Sequence, residues 1–211
     1  MEIKRLLPLS GIVFVALVVA SIVGVGGGTP GTNAPAADLA TFYDENAVRQ
    51  GLSAFLLAAA VPFVVLFGVG LATAPARREA AGISTWGYVV IAGTILVASA
   101  VLVAAFVHFA LANGGDEKIA PTALQALNSL DGNTWMAFNP AFGVMMLGAA
   151  GLLLSAGIMR WLGWIALVLG VAAFIPFADF FALLATLAWI VAVSLLQVRA
   201  PRAIASPAPA G

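Results

Sequence analysis

Long apolar runs separated by short polar or charged segments set the plan of this chain. A helix crosses a hydrocarbon core of about 30 Å with roughly 20 residues, and about 17 is the lower limit. On that measure the runs predict spans over about 6–25, 52–72, 86–111, 135–158, 161–177 and 180–197, with the fifth at the limit. The fifth and sixth must therefore form a tight hairpin with Asp179 at its tip. Pro62 inside the second span and Pro140 near the start of the fourth each remove a backbone hydrogen bond, which packed membrane helices tolerate.

Two of the polar connections carry helical patterns of their own. After Pro35, Leu39, Phe42 and Tyr43 recur at i, i+3 and i+4, and after Pro121, Leu124, Leu127 and Leu130 recur every three residues before Gly132. Each predicts a short amphipathic helix lying on the membrane surface. The expected fold is all-α: a polytopic membrane bundle of six transmembrane helices with two short amphipathic outer helices. Residues 1–199 form one membrane domain, and 200–211, with Pro201, Pro207 and Pro209 among alanines, read as a disordered tail.

The charges then orient the chain. Lys4, Arg5, Arg77, Arg78, Arg160, Arg199 and Arg202 fall on one side; Asp38, Asp44, Glu45, Asp116, Glu117, Asp131 and Asp179 fall on the other. Seven bases against Glu2 and Glu79 leave the first side at +5, and seven acids against Arg49 and Lys118 leave the second at −5. Lys and Arg near span ends stay in the cytoplasm, so both termini are expected there; the scarcity of Lys beside abundant Arg, Ala, Gly and Val points to a GC-rich bacterium, and so to its inner membrane. A cleavable signal peptide has an apolar core of roughly 7–15 residues and an A-x-A-like site; the first run is longer and ends at Gly26-Gly27-Gly28, so an uncleaved span is expected.

Composition removes several functions. Hydrophobic residues make up 63% of the chain and charged residues 9%, too little basic surface for nucleic acid. There is no cysteine, so thiol catalysis and thiolate metal sites are excluded, and no cofactor is expected. The sequence holds no H-E-x-x-H motif, no nucleophile signature around Ser53, Ser99 or Ser129, and no lysine within a span.

The polar residues that remain define a candidate site. His108, the only histidine, lies about one turn inside the outer end of the third span, where it reaches water or a carboxylate. Arg49 has two readings: it pins the first outer helix to an acid (Asp38, Asp44, Glu45, Asp131 or Asp179), or it receives an anionic head group. Asp179 marks a turn or faces Arg49 and His108 across a vestibule. Arg49, His108, Asn139 and Asp179 at one depth are the candidate ligand-binding set; no catalytic or metal residue is assigned. Two bland readings stand beside it: Met145-Met146 fill gaps, and Gly24, Gly26, Gly68, Gly70, Gly148 and Gly151 mark close helix contacts.

Three stretches carry a resemblance: Phe42-Tyr43 with Asn46 and Arg49, Leu127-Asn128-Ser129-Leu130, and Arg160-Trp161-Leu162-Gly163-Trp164. They are similar to a broad group of uncharacterised six-span bacterial membrane proteins, common in actinobacteria. The resemblance covers nearly the whole chain and implies topology; the group has no assigned activity to imply. Three functions follow as expectations. The first is non-enzymatic binding of a lipid-like small molecule or a partner subunit through the outer half. The second is a small transporter or channel subunit, and the third an enzyme using His108 at the outer interface.

Overall fold

The computed structural model describes residues 7–74, 82–116, 119–157 and 159–199. Lys4, Arg5, Arg77, Arg78, Glu117, Lys118, Ile158, Arg202 and the 200–211 tail lie outside the described residues, as do the side chains of Asp116 and Arg199. The described chain is helical without strands. α1 runs Leu7–Val19 and continues as a π-helical segment, Ala20–Val25; α2 is Ala36–Thr73, α3 Thr85–Asp116, α4 Pro121–Gly132, α5 Trp135–Ser155, α6 Arg160–Ala172 and α7 Asp179–Arg199.

The helix limits follow the breakers in the sequence. Pro35 precedes α2 and Pro121 opens α4, where a missing N–H costs nothing. Between α5 and α6 the chain reverses through Gly157 and Met159, both at positive φ. Each of the six apolar runs forms a helix over most of its described residues, and among the described residues five helices are long and apolar enough to cross a membrane. The fifth run differs: α6 stops at Ala172 after 13 residues, a rise of about 20 Å, and residues 173–178 continue as turns. Pro176 and left-handed Phe177 explain the stop, because neither continues a helix.

Both outer helices are placed differently from the expectation. The first is no separate surface helix: it is the leading part of α2, whose 38 residues rise about 57 Å, far more than a bilayer core requires. Its apolar face does not lie on lipid either. Leu39 and Tyr43 are fully buried against Leu111 of α3 and Leu124 of α4, with Phe42, Ile119 and Leu127 around them. Of the second outer helix, Leu124 is buried while Leu130 is exposed. The two helices thus pack on each other and on the end of α3, closing the acidic end of the bundle with a small core of its own.

The main core runs through the bundle around Phe14, Phe67, Met145, Met146, Trp189 and Ile190. One close crossing is between α3 and α5. A Cβ on Gly93 would run into the backbone of Met145, and one on Gly148 would lie 2.7 Å from the backbone N of Val90. Two reciprocal glycines, each three residues from the position its partner meets, thus let the helix backbones touch. Outward faces stay apolar, as at Ile95, Leu102 and Phe106 of α3 and Trp161, Trp164 and Val168 of α6. Such faces suit lipid and not water.

A side-chain hydrogen bond joins the short α6 to α7: buried Trp189 donates from Nε1 to the Leu162 carbonyl at 3.1 Å. Trp189→Phe removes that donor and part of a packed ring, and is expected to destabilise the protein by about 1–3 kcal/mol. Denaturation followed by circular dichroism checks this; an unchanged midpoint would show that the α6–α7 hairpin is held by other contacts.

Candidate functional site

The site is built where the end of α1 meets α2. The π-helical turn is closed by Gly26 N–H donating to the Ser21 carbonyl at 2.6 Å, a bond five residues back. Ser21 fixes it to α2: its Oγ donates to the Ser53 carbonyl at 2.8 Å and lies 3.0 Å from Ser53 Oγ, which itself reaches the Ser21 carbonyl at 3.0 Å. A Cβ on Gly26 would collide with Ser53 Oγ, so only glycine lets the strand of carbonyls after the turn lie against α2. Those carbonyls are then used. Gln50 Nε2 donates to Gly26 O and Arg49 Nη2 to Gly27 O, each at 3.3 Å.

Gln50 has no exposed surface, and its orientation decides what His108 faces. With Nε2 committed to Gly26 O, Oε1 is turned toward His108 Nε2 at 2.9 Å. On the other side His108 Nδ1 lies 3.2 Å from Asp131 Oδ2. Both ring nitrogens therefore face acceptors. The imidazole is 13% exposed and the carboxylate 21%, so the pair is screened less than a surface ion pair. Thr134 Oγ1 donates to the Asp131 carbonyl at 2.7 Å and secures the turn that carries the acid.

A second polar lattice sits just beyond. Tyr43 donates its hydroxyl to Asn128 Oδ1 at 3.3 Å, Asn128 Nδ2 reaches Gly31 O at 3.0 Å, and Gln125 Nε2 reaches Ala34 O at 3.3 Å. These bonds stitch the 26–35 connection to α4 and hold Asp131 over His108.

The four candidate residues are not one cluster. Arg49 and His108 belong to this α1–α4 assembly, although Arg49 pins a main-chain carbonyl and, among the described residues, no acid. Asn139 and Asp179 pair with each other instead, Nδ2 to Oδ2 at 2.8 Å, between the starts of α5 and α7. No hydrogen bond among the described residues joins the two halves. Gln50 and Ser21 were missed because an uncharged polar residue in or beside an apolar run carries no distinctive signal. Ser53, one of the serines without a nucleophile signature, is bonded to Ser21.

Below the His108–Asp131 pair lies a cavity of about 460 Å³, within the size range of small-molecule sites. Its upper rim is polar, with Ser21, Ser53, Thr134 and the backbone of Gly26, Gly27 and Gly28; its body is apolar, with Phe14, Leu57, Phe142 and Leu187. A second cavity, of about 900 Å³, opens around Asn139 and Asp179, and Phe180 and Leu183 line both. Among the described residues no group of three or more His, Asp or Glu is arranged to hold a metal ion. Comparison with protein-family models, curated proteins and solved structures finds no match.

Proposed function

We propose that this chain is a multi-span membrane protein that binds an amphipathic, lipid-like small molecule in the cavity beneath His108. The observation that carries the reading is the cavity's gradient: its upper end holds the His108–Asp131 pair, hydroxyls and glycine backbone, while the rest is lined by aromatic and aliphatic side chains. A molecule with a hydroxyl or amide head and an apolar body matches both parts. The head would bond at His108, Asp131 and Thr134, and the body would lie between Phe14, Leu57 and Phe142. The charge asymmetry of the sequence and the resemblance to six-span bacterial proteins support an inner-membrane location, with the acidic end outside and both termini in the cytoplasm.

Native mass spectrometry of the full chain released from a mild neutral detergent tests this reading. The expected result is a retained adduct of lipid-like mass. Ala104 is buried in the cavity wall, so Ala104→Phe fills the space and should lower the adduct at least tenfold. Bare protein from several detergents, or an adduct undiminished in a folded Ala104→Phe, would overturn it.

A further inference from the structure

We propose that the second cavity, between the start of α5, the 173–178 turn and the start of α7, is a separate site for an alkylammonium group. Its electrostatics are those of a cation site. The Asp179 carboxylate accepts Asn139 Nδ2 at Oδ2 and Phe180 N–H at Oδ1, both at 2.8 Å. An ionised carboxylate offers about four acceptor positions, so about half remain open. No Lys, Arg or His among the described residues forms an ion pair with it, and the α7 N-terminus offsets only about half a charge. Beside it, Asn139 is 4% exposed and its Oδ1 has no hydrogen-bond partner. Among the described residues the pair thus has surplus acceptors and no compensating positive charge.

The walls add the other half of ammonium recognition. Trp135, Phe174, Phe177, Phe180 and Phe181 line the same 900 Å³. Aromatic faces around a carboxylate attract an organic cation through the ring quadrupole, most strongly where water is thin. Phe177 is held at a φ of 70°, a conformation that bulky residues avoid, yet the residue is 91% exposed. The strain gains no burial within the chain; it sets an aromatic ring in the lining of the cavity. A primary or quaternary ammonium would sit at Asp179 among the rings, with an attached alkyl chain along Met136, Pro140 and Leu183. The ammonium belongs either to a lipid head group or to a free alkylamine, and the chemistry is the same for both. The site does not depend on the His108 cavity, which it meets only at Phe180 and Leu183.

Methionine methyl NMR of the full chain in neutral detergent tests the site, because Met136 lines it while Met145 and Met146 are buried in the main core. Titration with hexyltrimethylammonium should shift Met136 saturably and leave Met145 and Met146 in place. Hexanol and hexyl sulfate should bind at least tenfold more weakly. Asp179→Asn should weaken the ammonium at least tenfold with Met145 and Met146 unmoved, which reports an intact fold, and Asp179→Glu should restore part of the affinity. Ala104→Phe should leave this titration unchanged. In nanodiscs, a Met136 position already shifted by phosphatidylethanolamine and not by phosphatidylglycerol assigns the lipid source, and a shift only on adding the free ammonium assigns the soluble one. Equal binding of hexanol, undiminished binding by Asp179→Asn, or no Met136 response in either setting overturns the proposal.

Discussion

Gly93→Ala is expected to be among the most damaging single-methyl additions to this protein. The new Cβ would meet the backbone of Met145, which cannot rotate away as a side chain could, so α3 and α5 must separate along their whole crossing. Overpacking a close-packed interior typically costs about 1–3 kcal/mol, and a backbone-to-backbone contact belongs at the upper end or beyond. The reciprocal Gly148→Ala should behave alike, since its Cβ would lie 2.7 Å from Val90 N. Gly24→Ala supplies the control: nothing lies within 4 Å of the added methyl, and the change should stay within about 0.5 kcal/mol. Denaturant titration of the three variants in one detergent decides the matter. Equal stability of Gly93→Ala and Gly24→Ala would show that the helices do not touch here.

Gln50→Leu should have the second largest effect, and it should act on stability and on the site together. The side chain is fully buried and makes two bonds, one giving to Gly26 O and one accepting from His108. Leucine has similar bulk but leaves a buried carbonyl and a part-buried ring nitrogen without partners, at about 1–3 kcal/mol for each group that water cannot reach. Gly26 then loses its tie to α2 through this side chain, and His108 loses the bond that sets its ring orientation. Gln50→Glu separates the two roles, because a carboxylate still accepts from His108 yet cannot donate to Gly26 O. We expect Gln50→Leu to lower both the unfolding midpoint and the adduct seen by native mass spectrometry, with Gln50→Glu keeping more of the adduct. A Gln50→Leu protein as stable as the parent would refute the buried array.

The local pattern explains how much was legible beforehand. Apolar runs report helices wherever the environment is uniform along them, which is why α1, α3, α5 and α7 fall near their expected limits. Proline and glycine report ends, as Pro121 does for α4 and Gly157 for the turn before α6. The amphipathic faces of Leu39 and Tyr43 and of Leu124 were legible as faces. Their destination was not, because periodicity says that a face is buried and never against what. The 38-residue continuity of α2 escaped for a related reason: the polar stretch Asp44-Glu45-Asn46 looks like an end, yet helix propensity there is adequate and nothing breaks the backbone. Glycines show the same limit. Gly24 was singled out and meets nothing, whereas Gly93 was not and meets a backbone.

By itself the sequence determined an all-helical chain of apolar segments, its breakers, and two sets of opposite charge on alternate connections. These are local properties, set by composition, by helix periodicity and by the few residues that end helices. Only the tertiary structure decided which polar residues meet. Four candidates at one depth became two sites because depth fixes position along a helix and not around it. His108 therefore turns toward Gln50 and Asp131, and Asp179 toward Asn139.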